Sequence, residues 1–230
     1  ENKSIFALIP ARGGSKGIRK KNLQKIDGLS LLARAIKIAQ SIKYIDYCIV
    51  STDDDEMAAE ALKYGAIVPG LRPESLSEDQ SKSIDVWKYT WLEIEQLYGR
   101  RFDISILLEP TSPMRTTDDI DKCLTLLLQN AETKATVTVS KIPGSHTPEK
   151  TLCMTDNGLI RAYNPNIYQT IRQNIPAYYS KNGLCYAAKR DQIMQSIIIE
   201  KDCKPVITTR EVVNIDTYFD LELAKWIMKK

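Results

Sequence analysis

A chain of 230 residues can bury a substantial core without disulfides or bound metal, and its length favours one domain with an insertion over two full domains. With 32 Lys+Arg against 29 Asp+Glu the net charge is only +3, which argues against a nucleic-acid binder held by phosphate neutralisation. A single histidine, His146, rules out a His-rich zinc site, and five widely spaced cysteines with no CxxC pair rule out a zinc ribbon or a thioredoxin-type motif.

The cysteines (Cys48, Cys123, Cys153, Cys185 and Cys203) are read as free thiols of a reducing compartment. The apolar run Ser4 to Pro10 is too short for a signal peptide's core or for a membrane span of about 20 residues, so the expectation is a cytoplasmic chain without a membrane partner.

In chain order, Ile5-Phe6-Ala7-Leu8-Ile9 reads as a strand buried on both faces of a parallel sheet. A Gly-rich basic loop, Ala11 to Asn22, follows it. Ser30 to Ser41 has the periodicity of an amphipathic helix. Tyr47 to Ser51 reads as a second buried strand, after which Asp53 or Asp54 caps a helix from about Asp55 to Tyr64. Ala66-Ile67-Val68 reads as a short third strand and Pro69 to Ser77 as a loop. A helix is predicted over Ser83 to Tyr98 and a core strand over Asp103 to Glu109. Thr117 or Asp118 caps a further helix from about Asp119 to Asn130, and the alternation Ala135 to Ser140 predicts a strand.

Strand, loop and helix repeated in this way predict an α/β domain with a largely parallel sheet. The pattern breaks near Lys141. From there to Pro176 the chain is polar and turn-rich, which suggests an arm or lid over 141–176 with the α/β core in 1–140 and 177–230. Regular structure is expected again at Gly183 to Lys189, near Ile197, at Pro205 to Thr209, in the strand-like Val212-Val213-Asn214-Ile215, and in a last helix from about Asp220 to Lys229.

The loop Pro10-Ala11-Arg12-Gly13-Gly14-Ser15-Lys16-Gly17-Ile18-Arg19-Lys20-Lys21-Asn22-Leu23 holds most of the chemistry. Its glycines permit a tight backbone, and Arg12, Lys16 and Lys21 put cations around it. A strand, a glycine loop and cations together suit a triphosphate, and α/β folds bind ligands at the carboxyl ends of strands. The loop is neither a Walker A sequence nor a GxGxxG dinucleotide fingerprint. The competing reading is a solvated basic turn.

This loop resembles the opening motif of the acylneuraminate cytidylyltransferases, the CMP-sialic acid synthetases and their relatives for other nonulosonic acids. Leu108-Glu109-Pro110-Thr111-Ser112-Pro113-Met114-Arg115 resembles the family's Leu-Gln-Pro-Thr-Ser-Pro-Leu-Arg. Ile49-Val50-Ser51-Thr52-Asp53, Leu71-Arg72-Pro73, Asn182-Gly183 and Asn214-Ile215-Asp216-Thr217 fall in the family's order. The opening loop of the related Kdo cytidylyltransferases, Ser-Thr-Arg after Pro-Ala-Arg, is not matched.

The resemblance implies a Rossmann-like three-layer nucleotidyltransferase fold with a dimerisation arm. It also implies transfer of the cytidylyl group of CTP to a sialic-type sugar acid with release of pyrophosphate, with Mg²⁺ or Mn²⁺ as cofactor, in a homodimer. It assigns the triphosphate to Arg12, Gly13, Gly14, Ser15, Lys16 and Lys21, the nucleotide to Asn22 and its cytosine end to Arg72, and the metal to Asp216. Lys16, Lys21, Arg12 and Asp216 are the implied catalytic groups; Glu109, Lys150, Arg172, Tyr179 and Asn182 are the implied sugar contacts. Two departures stand out: Asn214 replaces the first Asp of the family's Asp-Ile-Asp, and Glu109 replaces a neutral Gln. The different-class alternative is a nucleotide sensor without catalysis.

Overall fold

The computed structural model describes residues 3–166, 175–199 and 202–229. Its elements in chain order are β1 (Ile5–Pro10), β2 (Lys25–Ile26), β3 (Leu29–Ser30), α1 (Leu31–Gln40), β4 (Tyr47–Ser51), α2 (Asp55–Lys63), α3 (Ser83–Tyr98) and β5 (Ile104–Leu107). They continue with α4 (Thr117–Gln129), β6 (Ala135–Lys141), β7 (Leu152–Met154), β8 (Ile160–Ala162), β9 (Tyr179–Lys189), α5 (Arg190–Met194), β10 (Cys203–Thr208) and α6 (Tyr218–Met228).

Six strands form one sheet in the order β10-β6-β9-β5-β1-β4. All neighbours pair in parallel except β9, which runs antiparallel to both β5 and β6. The uninterrupted apolar run of β1 follows from its place inside the sheet, because both of its faces are covered. Ile5, Ala7 and Ile9 pack with Leu32, Ile36, Met57, Ile120 and Leu124 on one side. Phe6 and Leu8 pack with Trp87, Trp91, Ile94 and Phe102 on the other. The result is the expected α/β architecture of helices on both faces of a mostly parallel sheet. Among the described residues, no helix is long and apolar enough to cross a membrane.

The caps follow local chemistry. Ser30 Oγ accepts from Ala33 N at 3.0 Å and Asp54 Oδ1 from Met57 N at 2.9 Å, each satisfying a free amide at a helix start. The α4 cap is Thr116 rather than the expected Thr117 or Asp118, because Thr116 and Asp119 form a reciprocal capping box. Thr217 caps α6 with Asp220 in the same way.

Other boundaries differ from expectation. Ala66–Val68 is not a strand: Pro69 and Gly70 cut it short, and only single bridges, Ile49 with Ile67 and Thr52 with Leu71, join it to β4. The strand expected over Asp103 to Glu109 spans only Ile104–Leu107, since the Asp103 carboxylate turns back to Ser4 N at 2.9 Å. β9 begins at Tyr179, four residues earlier than predicted, where Lys141 provides a partner. Residues 195–199 are not regular; the chain turns at Ser196, whose φ is +60°. Val212 to Ile215 is not a strand, and its backbone tie to the neighbouring loop is Ile215 N donating to Thr111 O at 2.9 Å.

Candidate active site

Because β1, β4 and β5 are parallel, their carboxyl ends meet at one edge of the sheet. β9 runs the other way, so its beginning reaches that edge. A cleft of about 620 Å³ opens there, lined by Arg12, Ser15, Lys16, Gly17, Lys21, Asn22, Arg72, Asp79, Glu109, Asn214 and Asp216 among others.

The basic loop is pinned at both ends. Ala11 N donates to Ser51 O at 2.9 Å, continuing the β1–β4 pairing. Asn22 is buried, and its amide donates to Arg12 O at 3.2 Å, tying the end of the loop to its start. Ile18 is fully buried with Ile215, Leu221 and Ala224, which anchors the loop's middle on the C-terminal helix. Gly17 lies so close to the 214–216 segment that a Cβ there would fall well inside contact distance of the Asp216 carbonyl oxygen. Lys21 Nζ meets Asp216 Oδ1 at 2.9 Å across the same junction.

The glycines divide their work. Gly13 N donates to Asp53 Oδ1 at 2.9 Å, so this amide faces β4 rather than the cleft. A Cβ on Gly14 would meet open space. Arg72 is buried, with Nη2 3.6 Å from Asp53 and Nε donating to Ser77 Oγ at 3.1 Å. Burial lowers its pKa, Asp53 opposes that shift, and Arg12 adds to it. Asp53 thus joins the loop to Arg72. Asp79 bridges Arg12 and Lys16, at 3.1 and 2.5 Å. Neither role is visible in the spacing of the sequence, where Asp53 reads as a candidate helix cap and Asp79 as ordinary polar loop.

Glu109 and Asn214 line the floor of the cleft, and Ser112 and Gly183 pack against them. Gly183 has φ +73°, and a Cβ there would lie 2.7 Å from Ser112 Oγ, 2.8 Å from Asn214 Nδ2 and 2.9 Å from Glu109 Oε2. Ser112 Oγ donates to Asn214 Oδ1 at 2.7 Å, which fixes the orientation of the Asn214 amide. Burial raises the Glu109 carboxyl above its ordinary value; Arg115, Lys181 and Lys21 oppose this and Asp216 reinforces it. Arg115 is itself buried, and its guanidinium donates to the carbonyls of Glu109 at 2.7 Å, of Gly183 at 3.3 Å and of Leu184. It therefore binds the end of β5 to β9 beneath Glu109.

Three residues expected on the sugar side lie outside the lining of this cleft. Lys150 is exposed and borders a separate hollow of about 740 Å³ under the arm, with Lys141, Thr147 and Tyr178. Asn182 is buried, donating to Ser140 Oγ at 3.0 Å and accepting from Leu184 N at 3.3 Å. Tyr179 is half exposed beside Lys141 at the start of β9. Arg172 lies outside the described residues. His146 is exposed on the arm, its ring within 3.0 Å of Ser145 Oγ. Among the described residues no cluster of three or more His, Cys, Asp or Glu side chains forms a metal-binding group.

Residues 6–225 match the family described as cytidylyltransferase. A CMP-N,N'-diacetyllegionaminic acid synthase of Legionella pneumophila is 30% identical over 98% of this chain and 96% of its own. A pseudaminic acid cytidylyltransferase of Campylobacter jejuni is 27% identical over 97% of this chain and 96% of its own. Among solved structures, a CMP:2-keto-3-deoxy-manno-octonic acid synthetase complexed with CTP superposes with a TM-score of 0.74 at 17% identity, covering 99% of both chains, which bears on the fold alone. A single family match along nearly the whole sequence, loop and cleft floor included, makes this chain a member of the cytidylyltransferase family.

Proposed function

We propose that the protein transfers the cytidylyl group of CTP to a nonulosonic acid, releasing pyrophosphate. The observation that carries this reading is the convergence of Arg12, Lys16 and Lys21 with Asp216 and Glu109 in one cleft at the carboxyl ends of β1 and β5. Family membership supplies the cytidine nucleotide, and the named relatives act on legionaminic and pseudaminic acids. In this reading the sugar's anomeric hydroxyl gives up its proton to water and its oxygen bonds to the α-phosphorus as the bond to pyrophosphate breaks. Charge grows on the phosphate oxygens and the leaving group, and the loop cations stabilise it.

Asp216 is the proposed metal-holding residue. A single exposed carboxylate beside triphosphate oxygens suits Mg²⁺, a hard cation that commonly takes one or two carboxylates plus phosphates. With Asn214 uncharged, Asp216 is the one carboxylate of the Asn214-Ile215-Asp216 segment. Mg²⁺, when bound, offsets charge on the triphosphate. Lys21 sets the orientation of Asp216 through their 2.9 Å contact.

Pyrophosphate release, followed with CTP, ATP, GTP or UTP and Mg²⁺ over a panel of sialic, legionaminic, pseudaminic and Kdo-type acids, tests the reading. Release that requires CTP and one of these sugars is the expected result. No release with any sugar would favour a nucleotide sensor.

Glu109 is proposed to select among the sugars. A carboxylate only accepts hydrogen bonds, where glutamine also donates, so Glu109→Gln should change the order of kcat/KM values across the panel. An unchanged order would end that role. The same variant has a stability signature. The folded-state carboxyl titrates above its unfolded value, so ionising Glu109 costs stability as pH rises from the ordinary carboxylate range, about 4.3. Glu109→Gln should melt higher than the parent at pH 7, with the gap closing near pH 4.

The excursion from Lys141 to Pro176 is proposed as the dimerisation arm. Leu152 and Met154 on β7 and Ile160 on β8 lie on one face of its hairpin and are exposed, Met154 by 76%. We expect light scattering to give twice the chain mass, and Met154→Asp with Ile160→Asp to shift the protein toward monomer. A monomeric parent would overturn the dimer. Within this reading the protein works in the cytoplasm, and the Lys150 hollow under the arm takes part in sugar binding.

A further inference from the structure

Asp79 occupies the two loop cations that the nucleotide reading gives to phosphate. Its two carboxylate oxygens meet Arg12 and Lys16 at 3.1 and 2.5 Å, and both cations line the cleft. Among the described residues these are the carboxylate's only ion-pair or hydrogen-bond partners. The Lys16 ammonium holds the carboxyl below its usual range, with Arg12 contributing. Asp79 belongs to the segment between a short helical turn, Glu74–Leu76, and α3. That segment is stitched mostly to itself: Ser77 N to Glu74 O at 2.8 Å, Ser81 N to Glu78 O at 3.1 Å and Ser81 Oγ to Ser75 O at 3.0 Å. Its polar ties to the rest of the cleft run through Arg72 to Ser77, Arg12 to the Glu78 carbonyl at 3.2 Å, and the Asp79 bridge.

We infer that Asp79 is an internal competitor for the phosphate-binding cations, displaced when a polyphosphate enters and restored when it leaves. The inference rests on the nucleotide reading of the cleft. Two arguments favour displacement over a permanent support. Lys16 has a side chain 82% exposed, and an exposed ion pair of this kind adds little stability, so releasing it is easy. An aspartate left in place would also present a negative charge directly to the incoming phosphates. A single-charge carboxylate yields to a triphosphate or pyrophosphate but competes well against singly charged anions. Asp79 thereby sets a threshold of ligand charge for occupancy and helps pyrophosphate to leave.

The test is calorimetric titration of inorganic pyrophosphate, and separately of CTP, ATP, GTP and UTP, into the protein and its Asp79→Asn variant. Asp79→Ser serves as a second substitution at the same place. Glu74→Gln controls for a charge lost from the same segment outside the cleft lining. The expected result is that both Asp79 variants bind pyrophosphate on the order of tenfold more tightly than the parent, with Glu74→Gln unchanged. Unchanged or weaker pyrophosphate binding would make Asp79 a fixed support for Arg12 and Lys16 and overturn the inference. Equal tightening by Glu74→Gln would overturn it as well, by reducing the effect to overall charge. CTP binding no better than other nucleoside triphosphates would count against the cytidylyl reading alone, since the pyrophosphate titration decides on Asp79 by itself.

Discussion

Lys16→Ala is expected to lower kcat by about 10²- to 10³-fold, the usual cost of losing one group that stabilises charge developing in the transition state. The melting temperature should stay near that of the parent. Lys16 has Asp79 as its ion-pair partner at the rim of the cleft, while the loop that carries it is held independently by the buried Ile18 and by Asn22. Chemistry and stability separate at this residue, and steady-state pyrophosphate release beside a melting curve reads both. Lys16→Arg should retain part of the activity, because the charge survives while its reach and shape change. Unchanged turnover in the alanine variant would remove Lys16 from the catalytic groups.

Gly17→Ala should be as damaging by a different route. The added methyl meets the Asp216 carbonyl oxygen, a backbone atom that cannot rotate aside. The loop and the 214–216 segment must then part, and Lys21 is pulled from Asp216. Overpacking of this kind commonly costs about 1–3 kcal/mol. Here it also separates the loop cations from the carboxylate across the junction, so turnover should fall more than tenfold with a lower melting temperature. Gly14→Ala, whose methyl would meet open space, is the matched control and should behave like the parent. Equal behaviour of the two variants would show that the approach of Gly17 to Asp216 is not required.

These two positions also mark what was legible in the chain. Elements set by local chemistry could be read directly: the buried run of β1, the Ser30 and Asp54 caps, and the apolar periodicity of α1 and α3. The loop's cations were equally plain. What escaped depends on partners distant in sequence. The polar first residues of β9 carry no strand pattern of their own, and only pairing with Val139, Ser140 and Lys141 makes them strand. Val212 to Ile215 has a strand's composition but no adjacent strand to join. Gly17 looked like one more flexible glycine, and its close approach to residue 216 is a fact of packing. Asp53 reads in the sequence only as a candidate cap and a motif residue, and Asp79 has no visible assignment, because a carboxylate in a polar loop gains its partner only from the cation the fold puts opposite it. Lys150, Tyr179 and Asn182 were grouped by resemblance, whereas the fold keeps them away from the lining of the Lys16 cleft.

The single reversed strand bears on how the chain assembles. β1, β4 and β5 can join as soon as the first 107 residues are available, and β6 can then form beside α4. No strand pairing joins those two parts until β9, which ends at Lys189, is inserted between β5 and β6. Until then both strands present unpaired edges, the kind of surface that recruits other chains. The support beneath the cleft floor is completed by the same event, since Gly183, which packs against Glu109 and Asn214, arrives with β9. A ribosome-bound chain therefore carries its phosphate loop long before the floor opposite it exists, and fragments ending before Tyr179 should aggregate rather than bind nucleotide.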